Sequence, residues 1–114
     1  MREGALMVRT KNLNEIEVRL RKIGKATFVN YLYAELRNDL DVTIEYISHK
    51  YKTFGAYKLP SQQTRLSNAR TIFKSGWPEL ALQNIAESKK TDKETKKKAM
   101  FFCFRHEKYN YMQF

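Results

Sequence analysis

"LPSQQTRLSNARTIFKSGWP", residues 59–78, decides the fold. Pro60 and Ser61 mark a helix start, with Ser61 expected to cap the open amides of the first turn. Gln62, Leu66, Ala69 and Phe73 then recur at helical spacing, and Ile72 widens the stripe. Gly76 is a suitable terminator. Pro78 can open a further helix at its first position. A helix over about 62–74, closed by glycine and followed at once by another, is the punctuation of an all-α chain.

Working outward, the same period recurs. Leu13, Ile16, Leu20 and Ile23 predict a helix from about Asn14 to Ile23, stopped by Gly24. Phe28, Val29, Leu32 and Leu36 predict a second over 25–38, the most apolar segment and the expected centre of the core, with Tyr31 and Tyr33 at its flanks. Asn38, Asp39 and Asp41 supply turn chemistry. Ile44, Ile47 and Tyr51 share a face of a third helix over 42–51, and "KTFGAYKLP" reads as a loop bent at Gly55. Leu80, Leu82, Ile85 and Ala86 define a fifth helix. Thr91-Asp92-Lys93-Glu94 has capping-box spacing for a sixth, with Thr91 as the cap. The tail "FFCFRHEKYNYMQF" fits either a helical continuation or an extended piece. The expected fold is therefore an all-α compact bundle of five or six short helices. Residues 1–10 are expected to form a mobile lead-in, and residues 11–114 a single domain.

Composition narrows the class. The chain has 114 residues, a net charge of +10 and 42% hydrophobic residues, enough for one small core. Such a charge points to nucleic acid or to an acidic protein as partner. Cys103 is the sole cysteine, which excludes an internal disulfide and fits a reducing, cytoplasmic setting. No apolar run approaches the roughly 20 residues of a membrane span. The opening "MREGALMVRTKN" lacks the apolar core of a signal peptide.

No catalytic or metal constellation stands out. His49 and His106 fall in no ligand spacing. Cys103 and His106 are three apart, but lack an orienting third group. Glycine-rich phosphate loops are missing. The expectation is a non-enzyme with no cofactor and no metal.

The charge pattern offers more. Between Glu45 and Glu79 there is no Asp or Glu. With Leu66, Ala69, Ile72 and Phe73 turned inward, the outer face of helix 62–74 collects Gln63, Thr64, Ser67, Arg70, Thr71 and Lys74, with Asn68 at its edge. An ordinary solvated face carries mixed Glu and Lys instead. Amides and arginine can read base edges, and hydroxyls can hold phosphates. Ser61 lies at the helix front, and Lys50, Lys52 and Lys58 precede it as phosphate contacts. The layout over 42–75 resembles a helix-turn-helix with helix 62–74 in the recognition role, though its connection is about twice the usual three or four residues. Lys89, Lys90, Lys93, Lys96, Lys97 and Lys98 form a second basic patch, leading the basic helix and aromatic tail of 89–114.

The leading expectation is a DNA-binding protein, monomeric or homodimeric, acting on duplex DNA as a transcriptional regulator or a phage or mobile-element accessory factor. The alternative is an interaction module or inhibitor. It would dock an acidic protein through the same face together with Phe54 and Tyr57, read as aromatics outside the core.

Overall fold

The computed structural model describes the backbone of residues 2–112 and the side chains of residues 12–103. Among the described residues the chain forms seven helices and no strand. They are α1 (Arg2–Ile23), α2 (residues 25–38), α3 (Ile44–Lys50), α4 (Lys52–Gly55), α5 (Leu59–Lys74), α6 (Pro78–Glu87) and α7 (Lys93–Met112). The bundle is all-α, as the periodicity predicts.

The core is built from the expected stripes. Ile16, Leu20 and Ile23 of α1 are fully buried, as are Ala69 and Ile72 of α5 and Leu82 and Ile85 of α6. α5 packs chiefly along α1, and α6 packs along α7. Residues 2–10, read from sequence as a lead-in, are the first turns of α1. The tail continues α7 as helix to Met112, while the side chain of His106 lies outside the described residues.

α2 is α-helical except at Phe28–Leu32, where one turn is wide and the Tyr33 amide bonds back to the Phe28 carbonyl. Such a π-turn inserts one extra residue and shifts the helical phase of the residues after it. Tyr33, expected at the flank, is thereby buried beside Phe28 and Phe73. Burial pushes its hydroxyl above the ordinary tyrosine value, with Arg37 partly opposing the shift.

Two glycines end helices with positive φ, Gly24 at 87° and Gly76 at 78°. At Gly76 the amide bonds to the Phe73 carbonyl, and the Trp77 amide reaches the Ile72 carbonyl. That pair of bonds is a Schellman motif, which satisfies carbonyls left open at the end of α5.

Three further sequence expectations need correction. "KTFGAYKLP" is not a bare loop, because residues 52–55 form α4. Gly55 serves close packing and not a bend: a Cβ there would sit 2.7 Å from the Ser48 carbonyl oxygen. The cap of α7 is Asp92, not Thr91. Its carboxylate accepts from the Thr95 amide at 3.0 Å and the Thr95 hydroxyl at 2.7 Å. These bonds hold the Asp92 carboxyl below its ordinary range, the hydroxyl contributing most.

Candidate nucleic-acid interface

The outer strip of α5 arises from its period. Gln63, Thr64, Ser67 and Lys74 are exposed, and Thr71 is half-buried with its hydroxyl donating to the Ser67 carbonyl. Lys52 and Lys58 are exposed just before the helix. None of these three lysines has an ion-pair partner among the described residues. The helix begins at Leu59, with Lys58 in the cap position and no side chain capping it. Ser61 therefore stands inside the first turn, where its hydroxyl accepts from Arg65 Nε at 3.0 Å.

Four residues expected to contact nucleic acid do internal work. Asn68 is only 9% exposed; it accepts from Arg19 at 3.0 Å and donates to the Thr64 carbonyl at 2.8 Å. Arg70 donates to the carbonyls of Leu40 and Val42, each at 2.8 Å, tying α5 to the turn before α3. Ser61 supports Arg65. Lys50 is bound to Glu35 at 2.6 Å.

Glu35 is 6% exposed and also accepts from the Tyr51 hydroxyl at 2.8 Å. Burial alone raises a carboxyl, but the bonds from Lys50 and Tyr51 outweigh it and hold Glu35 below the usual range. The same bond holds the Lys50 ammonium above its ordinary value. Burial first, then Glu35, pushes the Tyr51 hydroxyl up. Beside this triad lies an open pocket of about 360 Å³ lined by Glu35, Asn38, Asp39, Asp41, Val42, Thr43 and Tyr46. Its carboxylates do not gather as a metal-holding group; no set of three His, Cys, Asp or Glu among the described residues does so.

The acid-free window of the sequence is not acid-free in space. Arg70 brings the Asp39–Asp41 turn against one flank of α5, and Arg19 brings Glu15 toward the other. The solvent strip between them, with Lys52 and Lys58 ahead of it, keeps the basic character.

Sequence reasoning missed Arg65. At 100° per residue it falls within the apolar stripe, in line with Ala69 and Ile72, and that inward-facing cation was the signal that could have found it. In the fold its guanidinium donates to the Ile23 carbonyl at the end of α1, to Thr27 Oγ1 and to Ser61, and stacks on Tyr57. Gln62 was legible as inward-facing but not as a cap. It is 7% exposed, and its Nε2 lies within bonding distance of the Phe54, Gly55 and Tyr57 carbonyls, at 3.3, 3.2 and 2.8 Å. Phe54 is fully buried and Tyr57 lies under Arg65, so neither is the surface aromatic expected.

Within the helix-turn-helix-like unit, α4 fills the connection, and α5 rests mainly on α1 and only slightly on α3.

The second basic patch is joined by the fold to the start of α2. Lys25 Nζ lies 3.1 Å from Ser88 Oγ, and Lys98 Nζ lies 2.8 Å from Asn30 Oδ1. Lys89, Lys90, Lys93 and Lys97 are exposed around this corner, and Lys96 is half-buried. Also on α2, Thr27 Oγ1 meets the hydroxyl of Tyr57, the residue before Lys58, at 3.1 Å. α2 thus bonds to a segment of each lysine group.

No family model, curated protein or solved structure matches this chain. Among the described residues no helix is long and apolar enough to cross a membrane.

Proposed function

We propose that this is a small, non-catalytic DNA-binding protein that contacts duplex DNA through the outer strip of α5 and the lysines around it. One observation carries the reading. Gln63, Thr64, Ser67, Thr71 and Lys74 make a solvent-facing strip of hydrogen-bonding groups without a carboxylate, and Lys52 and Lys58 in its approach have no ion-pair partner among the described residues. Short hydroxyls and ammonium groups suit phosphate oxygens, and a net charge of +10 favours a polyanion. Lys50, Ser61, Asn68 and Arg70 leave the contact set because they already hold the fold together.

The acidic-protein reading loses its aromatics, since Phe54 is buried and Tyr57 is covered by Arg65. It keeps only the polar strip, which lacks the buried anchors that dominate protein interfaces. Roles in transcription or in a mobile element rest on size and charge alone.

Binding to random duplex DNA across a salt series tests the proposal. Affinity that falls steeply with salt is the expected result. Absence of binding at low salt rejects it.

A further inference from the structure

Arginine and lysine divide sharply in the candidate interface, and the division bears on what the protein reads. From Glu45 to Glu79 the cations are Lys50, Lys52, Lys58, Arg65, Arg70 and Lys74. Both arginines are structural ties: Arg65 to Ile23, Thr27, Ser61 and Tyr57, and Arg70 to Leu40 and Val42. Lys52, Lys58 and Lys74 are the cations left facing solvent without an ion pair among the described residues. The second group, from Lys89 to Lys98, contains six lysines and no arginine.

The chemistry of the two side chains differs. Arginine offers a planar fork that grips guanine O6 and N7 together, the commonest specific base contact. Lysine is a compact, mobile point charge suited to phosphate. With Arg70 and Asn68 engaged internally, Gln63 is the one amide left on the strip for a bidentate base contact. Sequence discrimination requires several such contacts. α2 meets segments of both lysine groups, through Thr27–Tyr57 beside Lys58 and through Lys25–Ser88 and Asn30–Lys98. The positive charge is therefore spread over two segments of the chain rather than gathered on α5 alone.

We infer that the protein grips the phosphate backbone of duplex DNA with two lysine groups and does not read base sequence. This rests on the DNA-binding reading above and specifies its ligand as duplex of any sequence. The test uses the full chain and several labelled duplexes of unrelated sequence, followed by selection from a randomised duplex pool. Affinities equal within about tenfold and a pool with no enriched motif are expected, because a sequence reader discriminates by about 10³ or more. Lys58→Gln, Lys74→Gln and Lys89→Gln should each flatten the log affinity against log salt slope by about 0.9, equally on every duplex. An enriched motif, or preference for one duplex by about 10³, overturns the inference while leaving DNA binding intact. Slopes unchanged by all three variants overturn it as well. Failure to bind any duplex at low salt removes the DNA-binding reading and this inference together.

Discussion

The Arg65 guanidinium lies 4.0 Å from the centroid of the Tyr57 ring and donates to the Ile23 carbonyl that closes α1. One side chain thus joins the end of α1, the body of α5 and the segment leading into α5. Cation–π stacking contributes about 0.5–2 kcal/mol depending on desolvation, and a charged donor on a carbonyl about 1.5–3 kcal/mol. Arg65→Ala should lower unfolding free energy by about 2–4 kcal/mol on these terms. Arg65→Lys should recover little, because a single ammonium cannot stack and reach three acceptors at once. Tyr57→Phe keeps the stacking face and loses only the bond to Thr27, so it should cost about 1 kcal/mol. Urea denaturation of the three variants checks the order; a lysine variant as stable as wild type contradicts it.

Glu35 gives a pH signature. Its folded-state carboxyl is held below the ordinary value, so its contribution is present above the unfolded pKa and lost as pH falls through the folded one. Glu35→Gln should therefore be less stable than wild type at neutral pH, with the gap closing once pH drops below about 4. Lys50 and Tyr51 are shifted upward. Their stabilisation is full below their unfolded values and is lost as pH rises through the folded ones, beyond about 10. Half of Lys50 is open to solvent, which keeps the effect modest. Parallel melting curves of the wild type and Glu35→Gln from acid to alkaline pH provide the check; a gap that persists unchanged in acid contradicts the assignment.

Gly55 and Gly76 should fail for different reasons when substituted. At Gly76 nothing lies within 4 Å of an added Cβ, and the cost is that of a left-handed backbone, about 1–2 kcal/mol for alanine. Asparagine tolerates that conformation, so Gly76→Asn should restore part of it. At Gly55 the obstacle is the Ser48 carbonyl, 2.7 Å from the Cβ. Gly55→Ala should cost about 1–3 kcal/mol by overpacking, and Gly55→Asn should be no better. Equal recovery by asparagine at both positions, read from denaturation midpoints, contradicts the distinction.

The stripes of Ile16, Leu20 and Ile23 and of Leu66, Ala69 and Ile72 were legible because period and burial coincide over several turns. α4 was not, since four residues are too few to show a period. The outer strip of α5 was legible from phasing. Which of its members stay free was not. Asn68 and Arg70 look like surface groups until tertiary packing brings Arg19 and the Leu40 and Val42 carbonyls within reach. Distance along the chain likewise hid Asp39, Asp41 and Glu15, which end up beside a segment that contains no acid itself.

Asp92 and Thr91 separate two readings of the start of α7. The Asp92 carboxylate holds both the amide and the hydroxyl of Thr95, leaving Thr91 outside the cap. Removing a cap side chain destabilises a helix start. Asp92→Ala should lower the melting temperature, and Asp92→Asn or Asp92→Ser should restore most of it, while Thr91→Ala leaves it unchanged. A larger loss from Thr91→Ala would return the cap to Thr91.

Arg70 and Gln63 lie on the same outer side of α5, yet the fold gives them opposite roles. Arg70 bonds two carbonyls of the turn before α3 and carries that turn onto α5. Arg70→Ala should cost about 1.5–3 kcal/mol, with a lower melting temperature and reduced protection of the amides around residues 40–44 in hydrogen exchange. Gln63 is exposed and has no such tie among the described residues, so Gln63→Ala should stay within about 0.5 kcal/mol of wild type. In DNA binding the order changes. Where Arg70→Ala remains folded, its affinity should fall only as far as loss of one positive charge and a looser α5 allow, and equally on every sequence. Gln63→Ala should leave the ratio of affinities between duplexes unaltered. Measuring stability and binding on the same two variants keeps the roles apart: an Arg70→Ala protein as stable as wild type but selectively impaired on one duplex would place Arg70 at the bases instead.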